Sequence, residues 1–199
     1  MDALRITTPA AEGTIELGRR MGECVQSGDI IVLSGDLGAG KTQFAGGFAR
    51  GLGVDEAVTS PTFTVLKLYE GGRVPLWHFD LYRLTDASQL DDIDFWDATD
   101  PVSAPGAVLI EWGDMFAEVM DRADLSIELR IDDATTRDIT LRPHSVRGEA
   151  LLMDACSEQA VGAISDSPLV EGDRGTRALG KRPYVSAAPF VDKQGSHNG

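Results

Sequence analysis

The apolar residues of the chain follow two different spacings, which predict helices and strands in turn. Over residues 11–26 they recur every three or four positions, which is typical of an amphipathic helix. Residues 30–33 are all apolar, as in a strand that is buried on both faces. A glycine-rich loop follows, and residues 41–52 then predict a second helix, which Gly53 closes. The N-terminal part of the chain therefore predicts a helix, a buried strand, a glycine loop and another helix.

The remaining pattern is dominated by strands. Residues 62–69 and 74–82 predict a hairpin, because a Gly-Gly pair lies between two runs of β-forming residues. Residues 107–110 form a second fully apolar run, and residues 125–131 and 138–142 alternate apolar and polar positions as a second hairpin would. Two shorter elements complete the prediction, an acidic helix or turn over residues 86–97 and a final helix over residues 149–156.

The regular pattern ends near residue 156. Of the last 43 residues, 14 are Gly, Pro or Ser, and the apolar positions among them are scattered, a composition that is typical of disorder. A chain of 199 residues has room for one domain with an appendage. We therefore predict a single domain over residues 1–156 and a disordered tail over residues 157–199.

The chain is strongly acidic, with a net charge of −14 from 18 basic and 32 acidic residues. Most of this charge lies between Asp80 and Asp138, where 16 acidic residues face four basic ones. Such a chain is not expected to bind nucleic acid or an anionic membrane by itself, because both require a basic surface. The sequence contains no signal-peptide pattern, no apolar run of about 18 residues and only two cysteines. We therefore expect a cytoplasmic protein without a disulfide framework.

The glycine loop after the first buried strand matches the phosphate-binding pattern G-x-x-x-x-G-K-T. The matching residues are Gly35, Asp36, Leu37, Gly38, Ala39, Gly40, Lys41 and Thr42. Glycines allow the backbone to turn its N–H groups onto phosphate oxygens, and the start of the next helix adds a positive dipole end. In such a loop Lys41 reaches the β- and γ-phosphates, and the hydroxyl of Thr42 ligates Mg²⁺. The position between a buried strand and a helix is the one that this motif requires.

A P-loop enzyme also needs an acidic residue near the magnesium ion, usually at the end of a buried strand. Glu111 directly follows the apolar run at residues 107–110, and Asp80 lies in the second strand of the first predicted hairpin. An acid at either position is also typical of a residue that caps the next turn. The pattern by itself therefore leaves both roles open.

Three more residues near these motifs have alternative interpretations. Thr62, in a Ser-Pro-Thr-Phe segment, is placed to sense a γ-phosphate or its metal, or simply begins a strand after a proline turn. Trp112 could stack on a nucleotide base, face a partner or pack in the core. His78 shares a strand face with Asp80 by period two. We interpret it as a structural histidine, because no metal-ligand spacing surrounds it.

The motifs that are present and missing argue against some classes of P-loop protein. A GTPase would carry the guanine-specifying N-K-x-D, and no such tetrapeptide occurs. A small-molecule kinase normally carries several arginines in a lid, whereas the middle of this chain offers Arg83 and then no other arginine before Arg122. A small-molecule kinase and a nucleotide-gated binding module with incidental turnover remain as alternatives to an ATPase.

Together these motifs resemble those of the TsaE family, the P-loop ATPases of bacterial tRNA threonylcarbamoyladenosine synthesis. The resemblance covers about residues 10–145. Besides the P-loop it rests on Ser-Pro-Thr-Phe at 60–63, His-Phe-Asp-Leu-Tyr-Arg-Leu at 78–84 and Glu-Trp at 111–112. It implies a P-loop NTPase-like three-layer α/β fold, with a mixed central sheet that includes an antiparallel hairpin portion.

The resemblance also implies an activity and partners. TsaE proteins bind ATP and Mg²⁺ and work with TsaD and TsaB, of which TsaD transfers the threonylcarbamoyl group to adenosine 37 of tRNA. The ATPase activity of the family is weak without these partners and is thought to reset the complex between turnovers. We therefore expect an accessory ATPase that meets tRNA only indirectly, through TsaD and TsaB, and that does not bind a membrane.

Carried over by position, the resemblance assigns the catalytic and metal-binding roles. Leu37 to Thr42 hold the phosphates, and Thr42 and Glu111 ligate Mg²⁺. Asp80 lies near the γ-phosphate, where it orients water or the metal, and Thr62 is the sensing hydroxyl. The residues expected to carry hydrolysis are therefore Lys41, Thr62, Asp80 and Glu111.

Other positions either match the family pattern or depart from it. Trp112 matches the tryptophan beside the metal-binding glutamate, and Arg137 matches an arginine that the family places near the nucleotide in its last hairpin. Gly46 stands where the family commonly has arginine, which puts a partner or phosphate contact at this position in doubt. Gly113 replaces the usual proline after Glu-Trp.

Overall fold

The computed structural model describes residues 2–156 of the chain. The predicted tail at residues 157–199 lies outside these residues, so the domain boundary stays a prediction. Within the described part, no helix is long and apolar enough to cross a membrane. The strands are β1 (Leu4–Thr8), β2 (Ile30–Ser34), β3 (Leu66–Tyr69), β4 (Leu76–Asp80), β5 (Ala107–Glu111), β6 (Leu125–Ile131) and β7 (Arg137–Pro143). The helices are α1 (Ala11–Cys24), α2 (Lys41–Leu52), α3 (Phe95–Ala98), α4 (Ala117–Met120) and α5 (Val146–Ala155), with short 3-10 helices at Ala87–Ile93 and Gly113–Met115.

Every helix and strand that the sequence predicts is present; α2 and β6 have the predicted ends, and the ends of the other elements are shifted. The prediction that a strand begins at residue 62 is wrong, because β3 begins only at Leu66. The carbonyl of Pro61 accepts hydrogen bonds from the N–H groups of Thr64 (3.0 Å) and Val65 (2.6 Å), and these bonds close a turn instead. β1 and α4 have no counterpart in the prediction.

All seven strands form one mixed sheet in the order β1-β7-β6-β2-β5-β4-β3. The central strand β2 pairs in parallel with β5 and β6, and β4 extends the parallel part beside β5. The two predicted hairpins, β3–β4 and β6–β7, are confirmed as antiparallel pairs, and β1 adds to β7 in the antiparallel direction. The predicted α/β fold with a mixed sheet is therefore confirmed.

Helices cover both faces of the sheet and so make three layers. On one face α1, α2 and α5 pack over a cluster that includes Leu33 and Leu109. On the other face the shorter helices pack over a cluster that includes Val32 and Ile110. Neighbouring residues of β2 and β5 thus point into opposite clusters, as the period of a strand requires. Both strands are buried on both faces, which is why their sequences are continuous apolar runs.

Glycines allow α1 and α2 to cross in close contact. Gly18 and Gly22 of α1 face the backbone of α2, and Gly47 and Gly51 of α2 face the backbone of α1. A Cβ atom at any of these four positions would lie between 1.9 and 2.3 Å from a carbonyl oxygen of the other helix. Because α2 begins at the glycine loop, this contact holds the loop's own helix firmly against the domain.

The carboxyl ends of three parallel strands meet at one edge of the sheet. β2 ends at Ser34 and continues into the glycine loop, whereas β4 ends at Asp80 and β5 at Glu111. Glu111 pairs with Leu33 on one side and with Asp80 on the other. Ligands of open α/β sheets bind at this edge, and the sheet therefore places both predicted acids beside the loop.

Candidate functional site

The loop between β2 and α2 has a backbone that is suited to an anion. Its φ angles are 81° at Gly38 and 106° at Gly40, in the left-handed region that side chains disfavour. α2 begins directly after Gly40, and no side chain caps its N-terminus by hydrogen bonding. The first N–H groups of α2 and the positive end of its dipole therefore lie at the loop.

Lys41 is a buried lysine at the first position of α2, with 5% of its surface exposed. Its Nζ donates hydrogen bonds to the carbonyl oxygens of Gly35 (2.7 Å) and Asp36 (3.0 Å) and lies 3.8 Å from the centre of the Trp112 ring. Burial lowers the pKa of Lys41, while the negative charge of Glu111 opposes this shift. An ammonium group held by neutral carbonyls is well placed to exchange them for phosphate oxygens.

His78, Asp80 and Glu111 lie together on the face of the sheet that α1 and α2 cover. His78 and Asp80 are two residues apart on β4 and so share a face, and Asp80 pairs with Glu111 on β5. Leu109, two residues before Glu111, belongs to the apolar cluster under α2. All three polar side chains are at most 2% exposed. Buried carboxylates are costly unless they are paired, and both acids have hydrogen-bonding partners.

Asp80 accepts hydrogen bonds from the Ser-Pro-Thr-Phe segment. The hydroxyls of Ser60 and Thr62 both donate to its Oδ2, with a Thr62 distance of 2.6 Å, and the N–H of Tyr82 donates to its Oδ1 at 3.0 Å. The two hydroxyl oxygens are 2.6 Å apart. The segment predicted to sense the γ-phosphate is therefore tied to the acid predicted to lie near that phosphate.

Glu111 is paired with His78 and followed by a tryptophan in an unusual conformation. Oε1 of Glu111 lies 3.1 Å from Nε2 of His78. Trp112 has a φ of 65°, which is uncommon for a residue other than glycine. Its ring packs against Tyr82, with ring centres 5.0 Å apart, and against the ammonium of Lys41. The ring thus forms a wall of the site beside the lysine.

Arg137 joins the β6–β7 turn to the glycine loop. Its Nε donates to the carbonyl of Ala39 (3.1 Å), and its Nη2 makes a longer contact with the carbonyl of Gly38 (3.4 Å). Its Nη1 donates to the carbonyls of Asp133 (3.1 Å) and Thr136 (2.9 Å). The structure therefore brings Arg137 to the loop, where it holds carbonyl groups.

The structure adds contacts for two residues to which the sequence assigns no chemistry. His78, interpreted as a structural histidine, contacts Glu111 on the next strand of the sheet. The face that it shares with Asp80 is the signal in the sequence that points toward the site. Ser60 has no role in the sequence interpretation and donates a hydrogen bond to Asp80.

Gly46 faces open space, because a Cβ there would meet no atom within 4 Å.

The donors present fit a polyphosphate with a magnesium ion. The loop offers backbone N–H groups and a lysine, while Thr42, exposed in the first turn of α2, and Glu111 offer the oxygen donors that Mg²⁺ prefers. Among residues 2–156, no group of three or more His, Cys, Asp or Glu side chains is placed to hold a metal. A Mg²⁺ ion here would therefore take its other ligands from phosphate oxygens and water, as is usual for this ion.

Comparison with known proteins gives one consistent family. A family model for "Threonylcarbamoyl adenosine biosynthesis protein TsaE" matches residues 8–139. The "tRNA threonylcarbamoyladenosine biosynthesis protein TsaE" of Treponema pallidum is 38% identical over 138 residues, which is 69% of this chain and 99% of that protein. The protein of the same name from Bacillus subtilis is 36% identical over 151 residues, which is 76% of this chain and 92% of the relative.

A solved structure shares the fold. The crystal structure of Bacillus subtilis YdiB aligns with a TM-score of 0.63 at 30% sequence identity and covers 79% of this chain and 96% of its own. Because the matched residues include the loop and both acids, the similarity extends over the whole candidate site.

Proposed function

The chain belongs to the TsaE family, and on that premise we propose that it is the Mg²⁺-dependent ATPase that supports threonylcarbamoylation of tRNA adenosine 37. In this role it hydrolyses ATP to ADP and phosphate and thereby resets or activates the TsaD–TsaB complex, which carries out the transfer. The protein works in the cytoplasm, and its hydrolysis is weak without the partner complex.

One observation carries the proposal: a buried lysine on a glycine loop lies beside two buried carboxylates at the carboxyl edge of the sheet. Lys41, Asp80 and Glu111 are each at most 5% exposed, and the charges of both acids act on the lysine. Burial of three charges is expensive, so a site of this kind is expected where it serves a function.

The chain's residues divide the work of hydrolysis between them. The loop N–H groups and Lys41 bind and orient the phosphates of ATP. Thr42 and Glu111 hold Mg²⁺, which when bound neutralises charge on the β- and γ-phosphates. Asp80 orients the attacking water. Thr62 is hydrogen-bonded to Asp80 at 2.6 Å, and through it the Ser-Pro-Thr-Phe segment responds to the presence or loss of the γ-phosphate. Arg137 keeps the loop in shape through its carbonyl groups.

The charge of the protein supports an indirect relation to tRNA. With a net charge of −14, the surface repels a polyanion, so the tRNA is bound by the partners. A basic surface on the partner complex would complement the acidic stretch between Asp80 and Asp138 and speed docking. If added salt changes neither the affinity nor the association rate, the acidity has no part in docking.

The decisive experiment measures phosphate release by the full chain during titration with its cognate TsaB–TsaD complex. We expect slow hydrolysis alone and acceleration as the complex is added, whereas hydrolysis that stays flat over the titration contradicts the proposal. Lys41→Ala should abolish phosphate release both without and with the complex. Lys67→Ala is the matched control, because Lys67 lies on the edge strand β3 in an exposed pair with Glu56, and it should keep both rates.

Two further measurements address the alternatives. If Glu111→Gln binds ATP without hydrolysing it and still supports many rounds of tRNA modification, the protein is a nucleotide-gated binding module. If labelled ATP gives a phosphorylated product other than free phosphate, the protein is a small-molecule kinase. We expect Glu111→Gln to support only a single round of tRNA modification. We expect labelled ATP to give free phosphate alone.

A further inference from the structure

A buried polar contact joins an imidazole to a carboxylate across two strands. His78 on β4 is 0% exposed and Glu111 on β5 is 2% exposed. Nε2 of His78 lies 3.1 Å from Oε1 of Glu111. The contact is diagonal, because His78 pairs with Leu109 and Asp80 pairs with Glu111 in the ladder. The imidazole thus approaches the glutamate from the core side, opposite to the open edge of the sheet.

The hydrogen-bond geometry assigns the proton of the imidazole. A glutamate that binds Mg²⁺ is ionised and only accepts hydrogen bonds, so in the proposed role of Glu111 it is Nε2 that donates. The other ring nitrogen, Nδ1, is buried and has no hydrogen-bond partner among the described residues. The 3.1 Å contact therefore assigns the proton of this hydrogen bond to Nε2.

We propose that His78 is a positioning residue for Glu111: its Nε2–H holds Oε1 of the carboxylate and thereby fixes the side chain that would bind the Mg²⁺ ion. This inference rests on the proposed function, in which Glu111 is a ligand of that ion. A carboxylate that is held in one rotamer loses no side-chain freedom when the metal binds. Partners that orient a metal ligand in this way typically contribute about 10- to 100-fold to metal affinity.

A histidine that only fills the core would not need this contact. The apolar neighbours on the same face, such as Leu76 and Leu109, fill the layer under α2 with no polar atom. An imidazole in their layer brings two nitrogens, one of which remains unpaired. The cost of burying these nitrogens is offset by one hydrogen bond. The partner in that bond is Glu111, the predicted metal ligand.

The test separates metal-dependent from metal-independent nucleotide binding. Affinity for the non-hydrolysable analogue adenylyl imidodiphosphate is measured for the full chain in saturating Mg²⁺ and in EDTA. We expect His78→Leu to lose about tenfold or more of the affinity gained with Mg²⁺ and to keep its affinity in EDTA. His78→Gln should retain most of the gain, because its amide nitrogen can donate where Nε2 does.

The outcomes distinguish this inference from the function on which it rests. If Glu111→Gln keeps the whole Mg²⁺-dependent gain, Glu111 is not a metal ligand and the proposed role of the site fails. If Glu111→Gln loses the gain but His78→Leu keeps it, only the positioning role is refuted. The same refutation follows if His78→Leu weakens binding equally in Mg²⁺ and in EDTA.

A second measurement needs no substitution in the test protein. Nitrogen-15 NMR of the wild-type imidazoles, with His78→Gln used only for assignment, shows which nitrogen carries the proton. A proton on Nε2 supports the inference. A proton found on Nδ1 alone overturns it, because Nε2 could then not donate to Glu111. This measurement decides the question even if His78→Leu fails to fold.

Discussion

Replacing Gly47 by alanine is expected to destabilise the domain, because α1 and α2 are too close at this point to admit a methyl group. The new Cβ would lie 2.0 Å from the carbonyl oxygen of Ile15, 2.9 Å from its carbonyl carbon and 3.1 Å from the nitrogen of Arg19. All three are backbone atoms of α1. No side-chain rotation can relieve the contact, so the helices themselves must move apart.

The size of the effect follows from these distances. Ordinary contact begins at 3.4 Å, so the two atoms must separate by about 1.4 Å, and the neighbouring side chains lose packing as they do. Overpacking of a core typically costs about 1–3 kcal/mol, and a backbone-to-backbone clash belongs at the upper end, about 3 kcal/mol. Alanine returns about 1 kcal/mol through its helix propensity. The net loss is therefore about 2 kcal/mol, or about 4–8 °C in Tm for a domain of this size.

Gly46→Ala is the matched control, because it changes the neighbouring position of the same helix. A Cβ at Gly46 meets no atom within 4 Å, so only the propensity gain of up to about 1 kcal/mol remains. Both variants and the wild type are compared by urea unfolding and thermal melting, followed by circular dichroism. If Gly47→Ala is as stable as Gly46→Ala, the close crossing of α1 and α2 is not as described.

Three other substitutions test the site and the surface charges. Arg137→Lys should weaken nucleotide binding in EDTA roughly tenfold, because the single nitrogen of lysine cannot span the carbonyls of the loop and of the β6–β7 turn as the three guanidinium nitrogens do; unchanged affinity contradicts the loop-holding role. Asp80→Asn should lower partner-stimulated phosphate release by about 10²-fold while nucleotide affinity stays near that of the wild type, and a normal rate would exclude a role for the carboxylate. Hydrogen bonds from Arg19 and Arg20 lower the pKa of Glu16 from 4.5 to about 2, so its ion pairs stabilise the fold above pH 4.5 and lose this effect as the pH falls toward 2. Glu16→Gln should therefore be less stable at pH 7 in urea unfolding, with a difference that shrinks below pH 4.5; a difference independent of pH contradicts the assignment.

The elements whose signals are local follow from the amino-acid sequence alone. The apolar run before the glycine loop, the loop pattern and the helix after it lie within about 20 consecutive residues, and each follows from spacing and backbone freedom. The same holds for β5 with Glu111 at its end. A strand buried on both faces has a sequence that few other elements share.

Which residues come into contact depends on how the strands pair and the layers pack. The order of the seven strands and their register set Asp80 beside Glu111 and place His78 diagonally to the same glutamate, and neither depends on local spacing. The four glycines between α1 and α2 have a low helix propensity. They are required only because the backbones of the two helices come into close contact where the helices cross. Contacts of this kind join residues that are about 30 positions apart or more, so their energies enter when strands pair and layers pack, and no local pattern carries them.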